Sequence, residues 1–458
     1  MKRIGTVACL VLLIVAARTS CASAADAASD VWKAGAAAVV ITPTEPTWMA
    51  GYGGRNKPSE GKFQDLFAKA LVVEDFRGVR LVILTLDLVT VPRPLRDHVA
   101  KHLQEQHRID PQSLLMNCSH THSGPLVQIT KSVIYQITPD EMNAVARNLH
   151  ALEKKLVDLV DAAIKDLAPA RLSYCHARAG FAMNRRLPSE TGFRNSPNPE
   201  GPVDNDVPVL RVERPDGKLR AVLFGYACHN TTLGLYQFCG DYAGYAQEYL
   251  EADHPGAVAL FMIGCGADQN PYPRGKLEHA QQHGRALANA VEAALMPKPR
   301  PVRGPLRAAF EDLPVGFVEV PSPEELRKQT QSKDRYQKRR AELMLEEQQE
   351  KGKLKDSYPF PVQVIQFDQD LMMVALGGEV VVDYSLRLKR ELTAMPLWVA
   401  GYSNDVFAYI PSARVAKEGG YEGGAATVLT TLPGLFQPEL EERIVGKVHE
   451  LARKLEGK

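Results

Sequence analysis

The chain has 458 residues, 45% apolar and 24% charged, proportions that set aside intrinsic disorder, collagen-like repetition and a multi-span membrane protein. With 55 Lys and Arg against 54 Asp and Glu the formal charge is +1, which leaves no basic footprint for nucleic acid. At roughly 150 residues per domain the length allows about three domains or one large enzyme domain, and does not choose between them.

Lys2 and Arg3, an apolar stretch from about Val7 to Ala17 and the small residues Ala22-Ser23-Ala24 predict a cleaved secretory signal peptide over residues 1–24. The expected destination is therefore the periplasm or the medium. No later segment reaches about 18 continuous apolar residues, so no transmembrane segment is expected after signal removal. The exported chain would keep Cys118, Cys175, Cys228, Cys239 and Cys265, an odd and sparse set that makes no disulfide framework.

Leu71–Glu74 and Val79–Leu86, joined by Asp75-Phe-Arg-Gly78, read as a β-hairpin. Pro208–Glu213 with Leu219–Gly225 reads as a second, and Val362–Phe367 with Leu371–Leu376 as a third. Helical periodicity marks about 143–166, 241–252, 276–296, 380–394 and 438–456. Alternating strands and helices with recurrent hairpins predict an α/β fold: mixed β-sheets with helices packed outside, in one large catalytic domain over 25–458. The densely charged stretch at about 322–355 reads as a solvated helix or helix pair inserted before the last hairpin.

Chemistry concentrates at strand ends. Asn117-Cys-Ser-His120-Thr-His122-Ser-Gly-Pro125 follows the apolar Leu114-Leu-Met116. In extended chain an i, i+2 spacing points both imidazoles to one side, so one can bind a metal while the other addresses its ligand or a substrate. His229 lies just beyond another strand, Glu379 beyond a third, and the turn Gly264-Cys-Gly-Ala-Asp268 beyond a fourth. Strand ends are where α/β sheets gather ligands and catalysts. Taken singly, each has a plainer reading: His229 as a hydrogen-bonded core histidine, Glu379 as an acid in the first turn of the helix from Val380, Arg185 as a surface ion-pairing residue. His279 and His283, at i and i+4, lack the glutamate of H-E-x-x-H and read as part of a solvated helix. The sequons at Asn117 and Asn230 adjoin these candidate ligands and are expected to be buried.

At these residues the chain resembles the neutral, non-lysosomal ceramidase family of zinc-dependent amidases. The resemblance runs from Ile41-Thr-Pro43 and Met49-Ala-Gly-Tyr52 through the His120 motif, Asn184-Arg185, His229-Asn-Thr-Thr232, Gly240-Asp-Tyr-Ala-Gly-Tyr245, Gly378-Glu379 and Ser403-Asn404 to Tyr409 and Tyr421-Glu-Gly-Gly424. It implies one Zn²⁺ per chain held by His120, His229, Glu379 and Tyr409, with His122, Arg185 and Tyr421 around the reacting carbonyl. It also implies an exported hydrolase that cleaves an N-acyl amide such as ceramide, a small-molecule or lipid substrate. Two departures qualify this. Where the family carries Gly-Asp-x-Ser-Pro, this chain has Ala267-Asp268-Gln269-Asn270-Pro271, so Asn270 either binds substrate through its amide or serves the turn. The sequence also ends soon after the Tyr421 motif, so the family's C-terminal immunoglobulin-like domain is not expected. These departures keep a second expectation open, a related metallohydrolase acting on an ester, lactone or other N-acyl amide. A third, from another class, is a non-catalytic exported binding protein.

Overall fold

The computed structural model describes residues 32–128 and 132–457; the expected signal peptide lies outside them. Its largest sheet has nine strands. Eight lie in the order Val258–Ile263, Leu219–Tyr226, Asp206–Glu213, Ala168–Arg178, Trp32–Val40, Phe67–Glu74, Arg80–Leu86 and Leu114–Cys118, and Arg300–Pro301 pairs with Ala168–Arg178. A four-stranded sheet orders Leu306–Gly316, Ser357–Phe367, Leu371–Leu376 and Leu397–Ala400. All three expected hairpins are present as antiparallel pairs.

The two sheets pack face to face. Trp32, Leu71, Leu223 and Leu260 of the large sheet share one buried cluster with Ile365, Met373 and Trp398 of the smaller. The other face of the large sheet is covered by the helices Arg93–His107, Pro139–Lys165, Asp241–Asp253 and Leu277–Leu295. The other face of the smaller sheet is covered by Val382–Glu391 and Leu440–Glu456. The result is four layers, helices–sheet–sheet–helices, as the mixed-sheet expectation requires. Burial on both faces explains why strands such as Arg80–Leu86 are continuous apolar runs rather than alternating ones.

Parallel pairing is confined to a few places, and they matter. Leu114–Cys118 runs parallel to Arg80–Leu86, Leu219–Tyr226 to Val258–Ile263, and Leu371–Leu376 to Leu397–Ala400. The buried Asn117 amide gathers these pairs: Ile263 N donates to its Oδ1 at 2.9 Å, and its Nδ2 donates to Gly401 O at 2.8 Å and to Ser403 Oγ at 3.1 Å. Both ends of the large-sheet path and the end of the smaller sheet are thereby held at one point.

One local reading is corrected, and two elements appear that the sequence does not mark. Arg93–His107 is a helix with a narrow stripe of Leu95, Val99 and Leu103, too sparse to stand out by periodicity. Leu277–Leu295 is not a solvated helix: it buries Ala280, His283, Leu287 and Val291, and His283 stacks on Phe181 and meets Pro273 O at 2.7 Å. Residues 186–203, without readable code in the sequence, belong largely to the hairpin Ala182–Ser189/Gly192–Asn198. The charged stretch forms two helices, Pro323–Gln329 and Arg335–Lys351, seated against the core by Arg335 to Gly53 O (3.1 Å) and Arg340 to Pro433 O (2.8 Å).

Candidate active site

Three of the four metal-ligand candidates stand just past a strand end in one of the parallel pairs, and the fourth, Tyr409, is reached through Glu379. His120 follows Leu114–Cys118 and His229 follows Leu219–Tyr226. Glu379 follows Leu371–Leu376 and pairs with Tyr409 in a two-residue parallel ladder, Glu379–Val380 with Tyr409–Ile410. Register partners on parallel strands project to the same face, so this ladder brings the carboxylate and the phenol together.

The His120–His122 pair differs from the extended geometry expected. His120 has φ 60°, in the left-handed region that costs a non-glycine residue energy. The two rings still converge, with centroids 4.8 Å apart, because the chain turns rather than because strand alternation aims them. Gly51, at φ +102°, lies under the His122 ring, where a Cβ would come within 2.6 Å of it.

Glu379 Oε2 is 3.3 Å from His120 Nε2 and 3.4 Å from His229 Nε2, Tyr409 Oη is 3.5 Å from His229 Nε2, and His122 Nε2 is 3.1 Å from His120 Nε2. His120 Nδ1 faces Val89 O at 2.6 Å and His229 Nδ1 faces Gly266 O at 2.7 Å. A carbonyl oxygen only accepts, so both imidazoles carry their proton on Nδ1, and in the neutral form each turns an Nε2 lone pair inward. Burial and the nearby Arg185 charge push His229 down to about 3, which keeps it neutral. Burial alone would raise the Glu379 carboxyl, but its His120 and His229 neighbours outweigh that and hold it well below the usual range. Its Oε2 is buried and accepts no hydrogen bond among the described residues. With both imidazoles neutral, an anionic oxygen and two lone pairs face one another, a donor set that a divalent cation satisfies.

The remaining candidates surround this centre. Arg185 is buried, not a surface residue: its Nε donates to Glu422 Oε1 at 2.7 Å, Nη1 to Asn270 Oδ1 at 3.2 Å and Nη2 to Tyr409 Oη at 3.1 Å. Burial would lower its pKa, yet Tyr409 and Glu422 raise it well above the ordinary value. Asn270 Oδ1 also accepts from Thr231 Oγ1 at 3.3 Å. The Tyr421 ring lies 5.2 Å from that of Tyr409, and burial pushes its hydroxyl up to about 12. Burial first, and then crowding by the neighbouring imidazoles, hold His122 well below its ordinary range, and its buried Nδ1 has no hydrogen-bond partner among the described residues. Asn117 and Asn230, the formal sequons, are buried.

Two contributors escaped sequence reading. Glu422 sits beside Tyr421 and anchors both Arg185 and Arg186 (2.8 Å); its adjacency to the motif tyrosine is the signal that could have marked it. The Tyr402 ring lies 4.5 Å from His120, its hydroxyl 3.5 Å from His229 Nδ1. The orienting carbonyls of Val89 and Gly266 have no side-chain code at all. Asp268, in the flagged turn, accepts from Val382 N at 2.9 Å and Asn184 Nδ2 at 3.2 Å, and burial pushes it up to about 6.

A cavity of about 410 Å³ opens onto His120, His122, Glu379, Tyr409 and Tyr421. Its outer wall includes Leu126, Val133, Ile134, Phe407 and Leu432, and Glu347 and Lys355 of the charged stretch stand beside it. A second cavity, about 350 Å³ and lined by Leu435, Phe436 and Ala416, shares Tyr409 and Tyr421 with the first.

The family model described as neutral/alkaline non-lysosomal ceramidase, N-terminal, matches residues 32–282. The chain belongs to this family. Among curated relatives, the neutral ceramidase of Mycobacterium tuberculosis (strain ATCC 25618 / H37Rv) is 24% identical over 267 residues, 54% of this chain and 41% of that one. Neutral ceramidase B of Dictyostelium discoideum is 26% identical over 227 residues, 45% of this chain and 31% of that one. The matched stretch thus spans less than half the length of these relatives. The crystal structure of neutral ceramidase from Pseudomonas aeruginosa superposes with a TM-score of 0.71 at 20% identity, over 93% of this chain and 74% of that one. A ceramidase complexed with C2 superposes at 0.72 and 19% identity, over 93% and 75%. These ceramidase-family structures share the fold. Among the described residues no helix is long and apolar enough to cross a membrane.

Proposed function

We propose that this ceramidase-family chain is an exported zinc-dependent hydrolase that cleaves an N-acyl amide of the ceramide type. The observation that carries the reading is Glu379 Oε2, buried, without a hydrogen-bond donor among the described residues, and within 3.4 Å of two inward Nε2 atoms. His120, His229, Glu379 and Tyr409 would hold the ion. His120 and His229 are favoured as ligands over His122 because each has its Nδ1 fixed by a backbone carbonyl, the outer support that metal-binding imidazoles need. Zinc at such a site polarises a carbonyl and lowers the pKa of a bound water toward neutrality.

The chain's own residues have separable tasks. His122, neutral and unanchored at Nδ1, is free to accept a proton from the attacking water and return it to the leaving nitrogen. Tyr421 offers a hydroxyl to the oxyanion of the tetrahedral intermediate. Arg185 holds Tyr409 and Asn270 in place and puts a buried positive charge beside the carbonyl. Two cavities share Tyr409 and Tyr421, the first lined by polar and apolar side chains alike and the second mainly by apolar ones, which suits a substrate that carries hydrocarbon next to its amide.

One observation favours a second reading. Asn270 replaces the serine of the family turn, and its Oδ1 is engaged by Arg185 and Thr231. An amide is no nucleophile, so any step resting on that serine is absent here, and an ester, lactone or other N-acyl amide becomes the alternative substrate. The test is elemental analysis beside hydrolysis of a fluorescent N-acyl-sphingosine and of simple acyl esters, with and without chelator. About one bound zinc at this site and chelator-sensitive amide cleavage would support the first reading. Cleavage confined to the esters would select the second, and absence of zinc would overturn both.

A further inference from the structure

A second group of metal-ligating side chains lies on the outer helical layer. His102 and His107 lie on the helix Arg93–His107, His107 as its last residue, and Asp161 lies on Pro139–Lys165, packed alongside. His102 Nε2 and His107 Nε2 both lie 2.7 Å from the same Asp161 Oδ1, and the two rings meet edge-on with centroids 5.7 Å apart. All three side chains are partly open to solvent, at 18%, 21% and 44%, so an ion has a route in and water has room to complete its coordination. None of them lines either cavity of the active site.

We propose that His102, His107 and Asp161 form a second metal site, selective for a borderline first-row divalent ion such as zinc, that clamps these two helices together. Two imidazoles aimed at one carboxylate oxygen from two helices supply three ligands at one point, and a tetrahedral zinc needs only a water besides. Imidazole and carboxylate together favour zinc and its neighbours over magnesium or calcium, which prefer oxygen alone. On binding, each imidazole presents Nε2 as a lone pair. An Nε2–H tautomer moves its proton to Nδ1, and an imidazolium releases its extra proton to solvent. The contacts at 2.7 Å open outward to admit the ion between them. A carboxylate that merely accepts two hydrogen bonds is the competing account, and metal stoichiometry separates the two.

This site does not depend on the hydrolase reading. The full chain, untagged, is stripped with chelator, dialysed against low-micromolar zinc and analysed for metal. The expected content is about two zinc per chain for the natural sequence and about one for the His102→Ala/His107→Ala double variant, with hydrolytic activity unchanged. Asp161→Asn keeps the shape of the cluster and should weaken the second binding event about tenfold or more. Equal zinc content in the natural chain and the double variant, or a second zinc bound only at millimolar concentration, would overturn the proposal. If the active-site reading failed instead, the natural chain would hold about one zinc and the double variant none.

Discussion

Glu379 and Tyr409 are register partners in a parallel ladder only two residues long. The glutamate arrives from the last strand of a hairpin and the tyrosine from an irregular segment that follows the smaller sheet. Only this pairing places both beside His229 Nε2, at 3.4 Å and 3.5 Å. Gly378, at φ +70°, makes the approach possible, since a Cβ there would meet Ile410 at 2.5 Å and Ala408 O at 2.9 Å.

Glu379→Ala should abolish metal at this centre together with activity. Loss of an outer partner of a metal ligand costs about 10–100-fold, and loss of the sole carboxylate among the proposed ligands should exceed that. Elemental analysis beside amidase kinetics checks it; zinc retained at this centre in the variant would refute the assigned ligands.

Tyr421→Phe keeps the ring against Tyr409 and removes only the hydroxyl. The expected outcome is unchanged zinc content with kcat reduced about 10²–10³-fold, the range for one oxyanion donor. A change confined to KM would instead assign Tyr421 to substrate binding.

Glu422 is the shared acceptor of two buried guanidinium groups, Arg185 at 2.7 Å and Arg186 at 2.8 Å. Glu422→Ala leaves Arg185 without its carboxylate and Arg186 with Glu418 (3.0 Å) and the Gly419 carbonyl (2.9 Å). Removing one partner of a buried pair costs about 3–5 kcal/mol, which urea unfolding of the variant would measure. A loss within the error of the measurement would show that solvent reaches this network.

The metal-stripped chain should lose stability as pH falls. His229 is held near 3 when folded, against an ordinary 6.5, so between those values the unfolded chain binds the extra proton and unfolding is favoured. The loss begins near pH 6.5 and is complete near pH 3. Buried Asp268, raised to about 6, acts in the opposite sense, since its folded form keeps a proton longer than the unfolded one. The His229 share is therefore isolated by comparison with His229→Gln, whose stability should fall less steeply across the same window. Parallel curves would disprove it.

Sequence reading reached most of the candidate residues that the fold brings together because they are polar residues in unusual company. Histidines, a glutamate and an Asp-containing turn directly after apolar strands stand out, since burial beside a strand end demands a partner. His283 shows the limit of that signal, being a core histidine that only stacks on Phe181 and meets one carbonyl. Arg185 shows the opposite limit: taken singly the triplet Asn184-Arg-Arg186 looks like surface, only the family resemblance points to it, and its burial depends on Glu422, 237 positions later in the chain.

What the sequence determines by itself is local: the hairpins, the longer helices, the His120–His122 motif and the family that these residues spell, because strand alternation, helical period and short spacings are properties of neighbouring residues. What the tertiary structure decides is convergence. His120, His229, Glu379 and Tyr409 stand on separate segments, and they meet because Asn117 ties three strand ends together and because backbone carbonyls of Val89 and Gly266 turn two imidazoles inward. A backbone carbonyl is the same group in every residue, so no sequence pattern can announce which one will orient a ligand; only the packed chain assigns it that role.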